Sequence, residues 1–164
     1  MSLITPVKNI KQLIQVSKSC NQSIVVDIYG PVKDADYWNT CIEEMKQLPS
    51  NVVVEYKGDL QPSLVQATIS KYDALILLTK GENFGHALFE SLSVGRPIIT
   101  SFFTPWTNLQ QKKAGWNVDI DDPKQITILL DQLALMDGVL WTQYCTNAHI
   151  LAKEYFYNQS NLLT

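Results

Sequence analysis

The chain has 164 residues, 46% of them hydrophobic and 18% charged, which is enough to bury the core of one globular domain. Its net charge of -3 argues against a general nucleic-acid binder, because such proteins need a concentrated positive surface. The apolar runs fall short of the roughly 18 residues that a membrane-spanning helix needs, so we expect no transmembrane segment.

Helical and extended patterns alternate along the whole chain. Apolar residues three and four positions apart predict helices, and short β-branched runs that end at glycine or proline predict strands. In chain order the predicted elements are a helix at 8–19, a strand at 23–29, a helix at 34–48, a strand at 51–56, a helix at 62–70, a strand at 73–79, a helix at 84–94, a strand at 97–101, a short helix, a strand at 115–120, and helices at 123–136 and 139–155.

This alternation predicts an α/β fold class, with a three-layer Rossmann-like domain in which helices cover both faces of a parallel sheet. The sequence contains no internal repeat, low-complexity tract or long linker, so residues 1–164 are expected to form a single domain. Ligands of such sheets bind at the carboxyl ends of the strands.

The three cysteines, Cys20, Cys41 and Cys145, include no CxxC pair and follow no secretory leader. This favours a reducing cytosol over export. We expect ordinary buried or half-buried thiols rather than metal ligands or nucleophiles.

Two glutamates, Glu82 and Glu90, are separated by seven residues and lie where an apolar strand passes into an amphipathic helix. The amide groups at the start of a helix attract anions such as phosphate. Carboxylates close to that point can accept hydrogen bonds from hydroxyl groups. The combination suits a nucleotide sugar, which is anionic in the middle and polyhydroxylated at both ends.

Residues 72–120 resemble the donor-binding half of the retaining GT-B glycosyltransferases of family 4, also called group 1. That family has a Glu, seven residues, Glu motif, in which a Glu-x-Phe-Gly loop leads into a helix ending at Gly-x-Pro-Val/Ile. The matching segments here are Glu82-Asn83-Phe84-Gly85, then Glu90, then Gly95-Arg96-Pro97-Ile98-Ile99.

The resemblance extends over nearly the whole chain. Residues 4–9 are similar to the family's opening loop, which supplies a phosphate-binding lysine, and Gly30 stands at its strand-end glycine. Residues 51–58 resemble the strand leading to the nucleobase loop, and residues 114–118 resemble a Gly-x-x-Val strand.

The resemblance implies a role for each matching residue. Glu82 is the expected catalytic carboxylate, which positions sugar hydroxyls and shapes transition-state charge without acting as a nucleophile. Glu90 is expected to hold the ribose hydroxyls, and Lys8 the diphosphate. The implied substrate-binding residues are Lys8, Gly30, Gly58, Glu82, Asn83, Phe84, Gly85, His86 and Glu90.

Several residues keep a second interpretation. Gly85 is also explicable as a turn glycine, and His86 as a capping or packing histidine. Trp106 could stack on sugar or base, although core packing is favoured. The acidic residues Asp119, Asp121 and Asp122 are better explained by helix capping at Asp122 than by metal binding. We expect no metal and no other cofactor.

Two departures from the family matter. A full GT-B enzyme has a second, acceptor-binding domain in front of this one, and Leu3 stands where the family has an arginine. The opening Met1-Ser2-Leu3 looks like an expression leader, and the chain stops near the family's last helix. We therefore expect an excised domain that is inactive alone.

The implied whole enzyme moves a hexose from a nucleoside diphosphate sugar to a glycan or lipid-linked acceptor, with retention of configuration. The expected setting is polysaccharide biosynthesis in the cytoplasm, where the full-length protein could be peripheral at the inner face of the membrane. Two alternatives stay open: half of a nucleotide-sugar 2-epimerase, and a non-catalytic nucleotide-binding or regulatory Rossmann-like module.

Overall fold

The computed structural model describes residues 3–161, so the expected leader residues 1 and 2 and the chain end at 162–164 lie outside it. Two short 3-10 turns, Pro6–Lys8 and Pro62–Leu64, accompany the regular elements. Those elements are α1 (Ile10–Lys18), β1 (Ile24–Tyr29), α2 (Ala35–Met45), β2 (Val52–Gly58), α3 (Val65–Ile69), β3 (Leu75–Leu77), α4 (His86–Ser93), β4 (Ile98–Ser101), α5 (Leu109–Lys112), β5 (Gly115–Val118), α6 (Pro123–Ala134) and α7 (Gly138–Asn161).

All the predicted helices and strands are present in the predicted order. Helix starts follow the local chemistry: the Asp34 carboxylate accepts a hydrogen bond from the Tyr37 amide at 2.8 Å and caps α2. Boundaries differ by a few residues: α7 runs to Asn161 and not to 155, and α4, which was expected from residue 84, begins at His86. Gly85 takes φ +78°, a left-handed conformation that ends the loop and leaves residues 82–85 outside the helix.

The strands form two parallel sheets. Strand β1 pairs with β2, with Ile24 opposite Val52, and β3, β4 and β5 pair in that order. The predicted parallel, helix-flanked α/β architecture is therefore confirmed. Within the described residues, β1 and β3 are not paired with each other; both line an apolar cavity of about 190 Å³.

Two sets of contacts join the sheets across this cavity. The segment before α1 runs along their carboxyl ends, where the Ile4 amide donates to the Pro31 carbonyl at 3.0 Å and the Lys80 amide donates to the Val7 carbonyl at 2.8 Å. The Tyr72 hydroxyl, just before β3, donates to Asp27 on β1 at 2.6 Å. The N-terminal segment thus connects the loops that follow β1 and β3.

The helices bury two apolar clusters. Helix α1 packs against α2 and α6, and α4 packs against α7. Ile14 and Ile126 belong to the first cluster, while Leu88 and Leu92 belong to the second, and all four are fully buried. Burying a side chain of this size stabilises the fold by about 1.5–3 kcal/mol, so α4 is firmly anchored below its exposed start. No helix in the described part of the chain has the length and hydropathy that crossing a membrane requires.

Candidate functional site

The loop between β3 and α4 is held from three directions. The buried Thr79 hydroxyl donates to the Gly81 carbonyl at 2.8 Å. The Ser101 hydroxyl, at the end of β4, donates to the Thr79 carbonyl at 2.5 Å. The Glu82 amide donates to the Phe103 carbonyl at 3.0 Å. These bonds fix the backbone of Glu82 at the carboxyl edge of the sheet.

The side chains of Lys8 and Glu82 form an ion pair at this edge. Lys8 ends the 3-10 turn before α1, and the next residue, Asn9, takes the left-handed conformation at φ 57°. The two side chains are 17% and 20% exposed, so both groups are partly shielded yet still reach solvent. The structure therefore brings together two of the residues that the sequence singled out, one cationic and one anionic.

Gly85 connects the Glu82 loop to α4. A Cβ at this position would lie 2.8 Å from Leu88 Cδ1, and the positive φ independently disfavours other residues. The Gly85 carbonyl accepts the first helical hydrogen bond from the Phe89 amide at 3.0 Å. Among the described side chains, none caps the start of α4. Uncapped amide groups at the start of a helix attract anions.

Phe84 holds the loop from the interior. Its ring lies 5.5 Å from the Tyr155 ring and 5.8 Å from the Trp106 ring, measured between centroids. Trp106 is 4% exposed and donates from its indole to the Phe84 carbonyl at 2.7 Å. The prediction that Trp106 packs in the core is confirmed. His86 is exposed, and its ring lies edge-on to the Phe84 ring with 4.9 Å between centroids. This contact fits the interpretation of His86 as a packing residue. Asn83 is exposed.

Gly30 and Gly58 meet at the carboxyl ends of β1 and β2. The Gly30 amide donates to the Gly58 carbonyl at 2.9 Å, and the Tyr56 hydroxyl donates to the Gly30 carbonyl at 2.9 Å. Both glycines have positive φ, 138° and 81°. A Cβ at Gly58 would meet open space. The two turns are thus tied together and leave room beside Gly58.

Glu90 lies in the second turn of α4, beyond the Gly85 turn. Its side chain is partly buried, and Leu88 and Leu92 on either side of it are fully buried. The structure therefore places the second carboxylate of the motif on the helix and the first in the loop before it.

Two of the acidic residues after β5 accept hydrogen bonds from nearby backbone amides. Asp122 accepts a hydrogen bond from the Gln125 amide at 3.1 Å and begins α6, and Asp119 accepts from the Asp121 amide at 2.9 Å. The capping interpretation of Asp122 is confirmed. No group of three or more His, Cys, Asp or Glu side chains suitable for a metal ion occurs within the part of the chain that the structure describes.

The three cysteines are free thiols, as expected: Cys20 and Cys41 are buried and Cys145 is half-buried. Burial raises the pKa of the Cys20 thiol to about 11. Burial also raises the pKa of Cys41 and of Cys145 above the ordinary value for a thiol. These groups are therefore protonated, and poorly nucleophilic, near neutral pH.

Sequence reasoning missed two features of the site. Thr79 and Ser101 hold the Glu82 loop, although nothing in their sequence context distinguishes them from other strand-end hydroxyls. Phe102 and Phe103 follow β4 directly and are 61% and 55% exposed. Two consecutive aromatic residues at the end of a buried strand are a signal that could have drawn attention to them.

Comparison with known proteins places this geometry in a family. The family model of the glycosyl transferases, group 1, matches residues 1–150. A comparison with curated proteins finds no match. Among solved structures, TarM has a TM-score of 0.80 at 21% identity, over 98% of this chain and 32% of that chain.

Two further structures are similar. HepE (Alr3699) from Anabaena, solved in complex with UDP-glucose, has a TM-score of 0.80 at 16% identity, over 94% of this chain and 43% of that chain. The C-terminal domain of LpcC, a glycosyl transferase group 1 family protein from Francisella tularensis, has a TM-score of 0.79 at 16% identity, over 95% of this chain and 83% of that chain. This chain thus spans about a third of TarM and about two-fifths of HepE.

Structural likeness at such low identity establishes the shared fold, which is that of GT-B glycosyltransferase domains. The family model covers most of the sequence, including the Glu82 loop, α4 and all five strands. The chain belongs to the group 1 glycosyl transferases.

Proposed function

We propose that this chain is the donor-binding domain of a retaining glycosyltransferase that transfers a hexose from a nucleoside diphosphate sugar to a glycan or lipid-linked acceptor. The observation that carries the proposal is the Lys8–Glu82 ion pair beside the uncapped start of α4. The cation and the helix-start amide groups match the diphosphate of a nucleotide sugar, and the carboxylate matches its sugar hydroxyls.

Lys8 and the first turn of α4 stabilise the departing diphosphate in this proposal. The helix start carries a partial positive charge, and the lysine ammonium group adds a full one. Together they offset the negative charge that develops on the diphosphate as its bond to the sugar breaks. Gly85 contributes the left-handed turn that joins the Glu82 loop to the helix start. This neutralisation needs no divalent metal, and we propose that the donor binds without one.

Glu82 orients the transferred hexose. Its amide is fixed by the Phe103 carbonyl and its carboxylate by Lys8, so it is pre-positioned to accept hydrogen bonds from sugar hydroxyls. The acceptor hydroxyl attacks the anomeric carbon on the face from which the diphosphate leaves. The bond to the diphosphate breaks, a new glycosidic bond forms on the same face, and the acceptor proton passes to the diphosphate.

The remaining site residues hold the nucleoside. Glu90 presents two acceptor oxygens, which suit the vicinal hydroxyls of a ribose. Gly30 and Gly58 lie at neighbouring strand ends with open space beside Gly58, where a base can approach the backbone. The backbone amides of Asn83, Phe84 and His86 lie in the Glu82 loop and at the start of α4. They complete the proposed donor site.

The similar structures support a nucleotide-sugar donor. HepE was solved with UDP-glucose, and a mutant of S. aureus TarM was solved with Fondaparinux, alpha-GlcNAc-glycerol and UDP. We propose that the acceptor is bound by a second domain outside this chain, and that the chain alone does not catalyse transfer. We further propose a role in polysaccharide biosynthesis and a cytoplasmic location, peripheral to the inner face of the membrane; the three free thiols favour the cytoplasm.

Calorimetric titration of the chain tests this proposal. The ligands are UDP, GDP and ADP, each with its hexose conjugate, and the expected result is saturable binding of one nucleotide series in the high micromolar to millimolar range. Val139→Ala, which changes an exposed residue on α7, is a control and should bind the nucleotides as wild type does. Absence of binding by all three series would contradict a donor site.

A further inference from the structure

Phe102 and Phe103 are exposed although the backbone around them is firmly held. The Phe103 amide donates to the Ser101 hydroxyl at 3.3 Å, and the flanking Ser101 and Thr104 are both buried. The two phenylalanines are nevertheless 61% and 55% exposed. A pinned backbone that directs two consecutive aromatic side chains toward solvent is unusual, because an apolar side chain gains free energy when it is buried.

These two residues lie beside the Glu82 loop. Three hydrogen bonds join the end of β4 and the loop that follows it to the segment after β3. They run from the Ser101 hydroxyl to the Thr79 carbonyl, from the Glu82 amide to the Phe103 carbonyl at 3.0 Å, and from the Trp106 indole to the Phe84 carbonyl at 2.7 Å. The backbone of Phe103 is therefore the direct neighbour of the backbone of Glu82. Both stand at the carboxyl edge of the sheet, where ligands of such folds bind.

The chemistry of the two neighbours is complementary. Glu82 and Lys8 recognise hydroxyl groups and phosphate oxygens, but a pyranose ring also has a face made of C–H groups, which polar side chains do not bind. The face of an aromatic ring is electron-rich and attracts such polarised hydrogens. Small-molecule sites typically combine aromatic walls with a few fixed polar groups, and here two exposed aromatic residues follow the strand next to Glu82.

We propose that Phe102 and Phe103 form an aromatic platform that contacts the apolar face of the transferred hexose. This inference rests on the proposed donor site and adds a specificity element to it. The platform would favour donors whose hexose presents an uninterrupted C–H face on that side. It would contribute to binding of the nucleotide sugar and not to binding of the nucleoside diphosphate.

The test compares the two ligands on the same variants. Phe102→Ala and Phe103→Ala are titrated with the nucleoside diphosphate that wild type binds and with its hexose conjugate, for example UDP and UDP-glucose. Loss of an aromatic contact should lower the affinity for the hexose conjugate about 3- to 10-fold, while the affinity for the diphosphate should change less than about twofold. Leu135→Ala, which removes a similarly exposed apolar side chain at the end of α6, is the matched control and should change neither affinity.

Phe102→Leu and Phe103→Leu guard against misfolding, since they keep most of the apolar volume. They should melt near wild type and still weaken the conjugate, because the flat ring is lost. An equal loss of affinity for both ligands, or an unchanged affinity for the conjugate, would contradict the aromatic platform. Neither result would contradict the donor site. If neither ligand bound wild type, the proposed function itself would fail, which is a different result.

Discussion

Lys8 and Glu82 are 74 positions apart in the sequence, and the fold joins their side chains as an ion pair in front of α4. Both residues sit on short segments that are tied by backbone bonds, Lys8 through the Val7 carbonyl and Glu82 through the Phe103 carbonyl. The pair therefore holds the Lys8 ammonium in place for a phosphate, and the same ammonium balances the negative charge of Glu82. An arriving diphosphate would compete with Glu82 for the lysine ammonium.

Replacement of Lys8 by methionine tests the cation. The variant keeps most of the length of the side chain and removes its charge. We therefore expect affinity for the nucleoside diphosphate to fall about 10- to 100-fold, the scale of one hydrogen bond to a charged group. The melting temperature should change little, because partly exposed ion pairs contribute only about 0–1 kcal/mol. Lys8→Arg, which keeps the charge, should recover part of the affinity in calorimetry. A diphosphate affinity indifferent to both changes would remove Lys8 from the site.

Gly85→Ala tests the turn before α4. The new Cβ would lie 2.8 Å from Leu88 Cδ1 at a residue whose φ is +78°, so both packing and backbone oppose it. We expect a loss of about 1–3 kcal/mol in the free energy of unfolding, measured by urea denaturation. Gly81→Ala, earlier in the same loop, is the control, because a Cβ there meets nothing within 4 Å. Equal stability of the two variants would show that the left-handed turn at Gly85 is not needed.

Glu90→Gln separates ligand binding from folding. The substitution keeps shape and one carbonyl acceptor and removes the charge, and charge-assisted hydrogen bonds are roughly twice as strong as neutral ones. Binding of the ribonucleotide should weaken by about 1–3 kcal/mol, discrimination against the 2′-deoxy ligand should fall, and the melting temperature should stay near wild type. A large loss of thermal stability with an unchanged preference for ribose would instead identify Glu90 as a structural carboxylate.

Cys20 makes stability depend on alkaline pH. Burial raises its pKa from 9.0 to about 11, so the folded state holds the thiol proton more tightly than the unfolded chain does. Its stabilising contribution is complete below about pH 9 and is lost as the pH rises toward 11. Thermal melts of Cys20→Ala should therefore show a shallower decline across this interval than wild type. Parallel declines in the two proteins would show that the thiol does not titrate differently on folding.

The sequence predicted the order of the elements because apolar spacing is a local property of each segment. The resemblance also singled out Lys8 and Glu82, which the structure brings into contact, while their binding roles stay predictions. The sequence did not predict that β1 and β3 are unpaired, since hydrophobic runs do not reveal which strands are neighbours. The pair Phe102-Phe103 is visible in the sequence, but its exposure is not, because burial depends on loops that are distant in the sequence.

A map of amide chemical shifts during titration with UDP, GDP and ADP locates the bound nucleotide and so tests the proposed donor site at the Lys8–Glu82 pair and the start of α4. We predict that one nucleotide produces saturable shifts concentrated at Lys8, at residues 82–90, and at Gly30 and Gly58. Shifts confined to other surfaces, such as α6 and the outer part of α7, or no shifts with any of the three nucleotides, would contradict it.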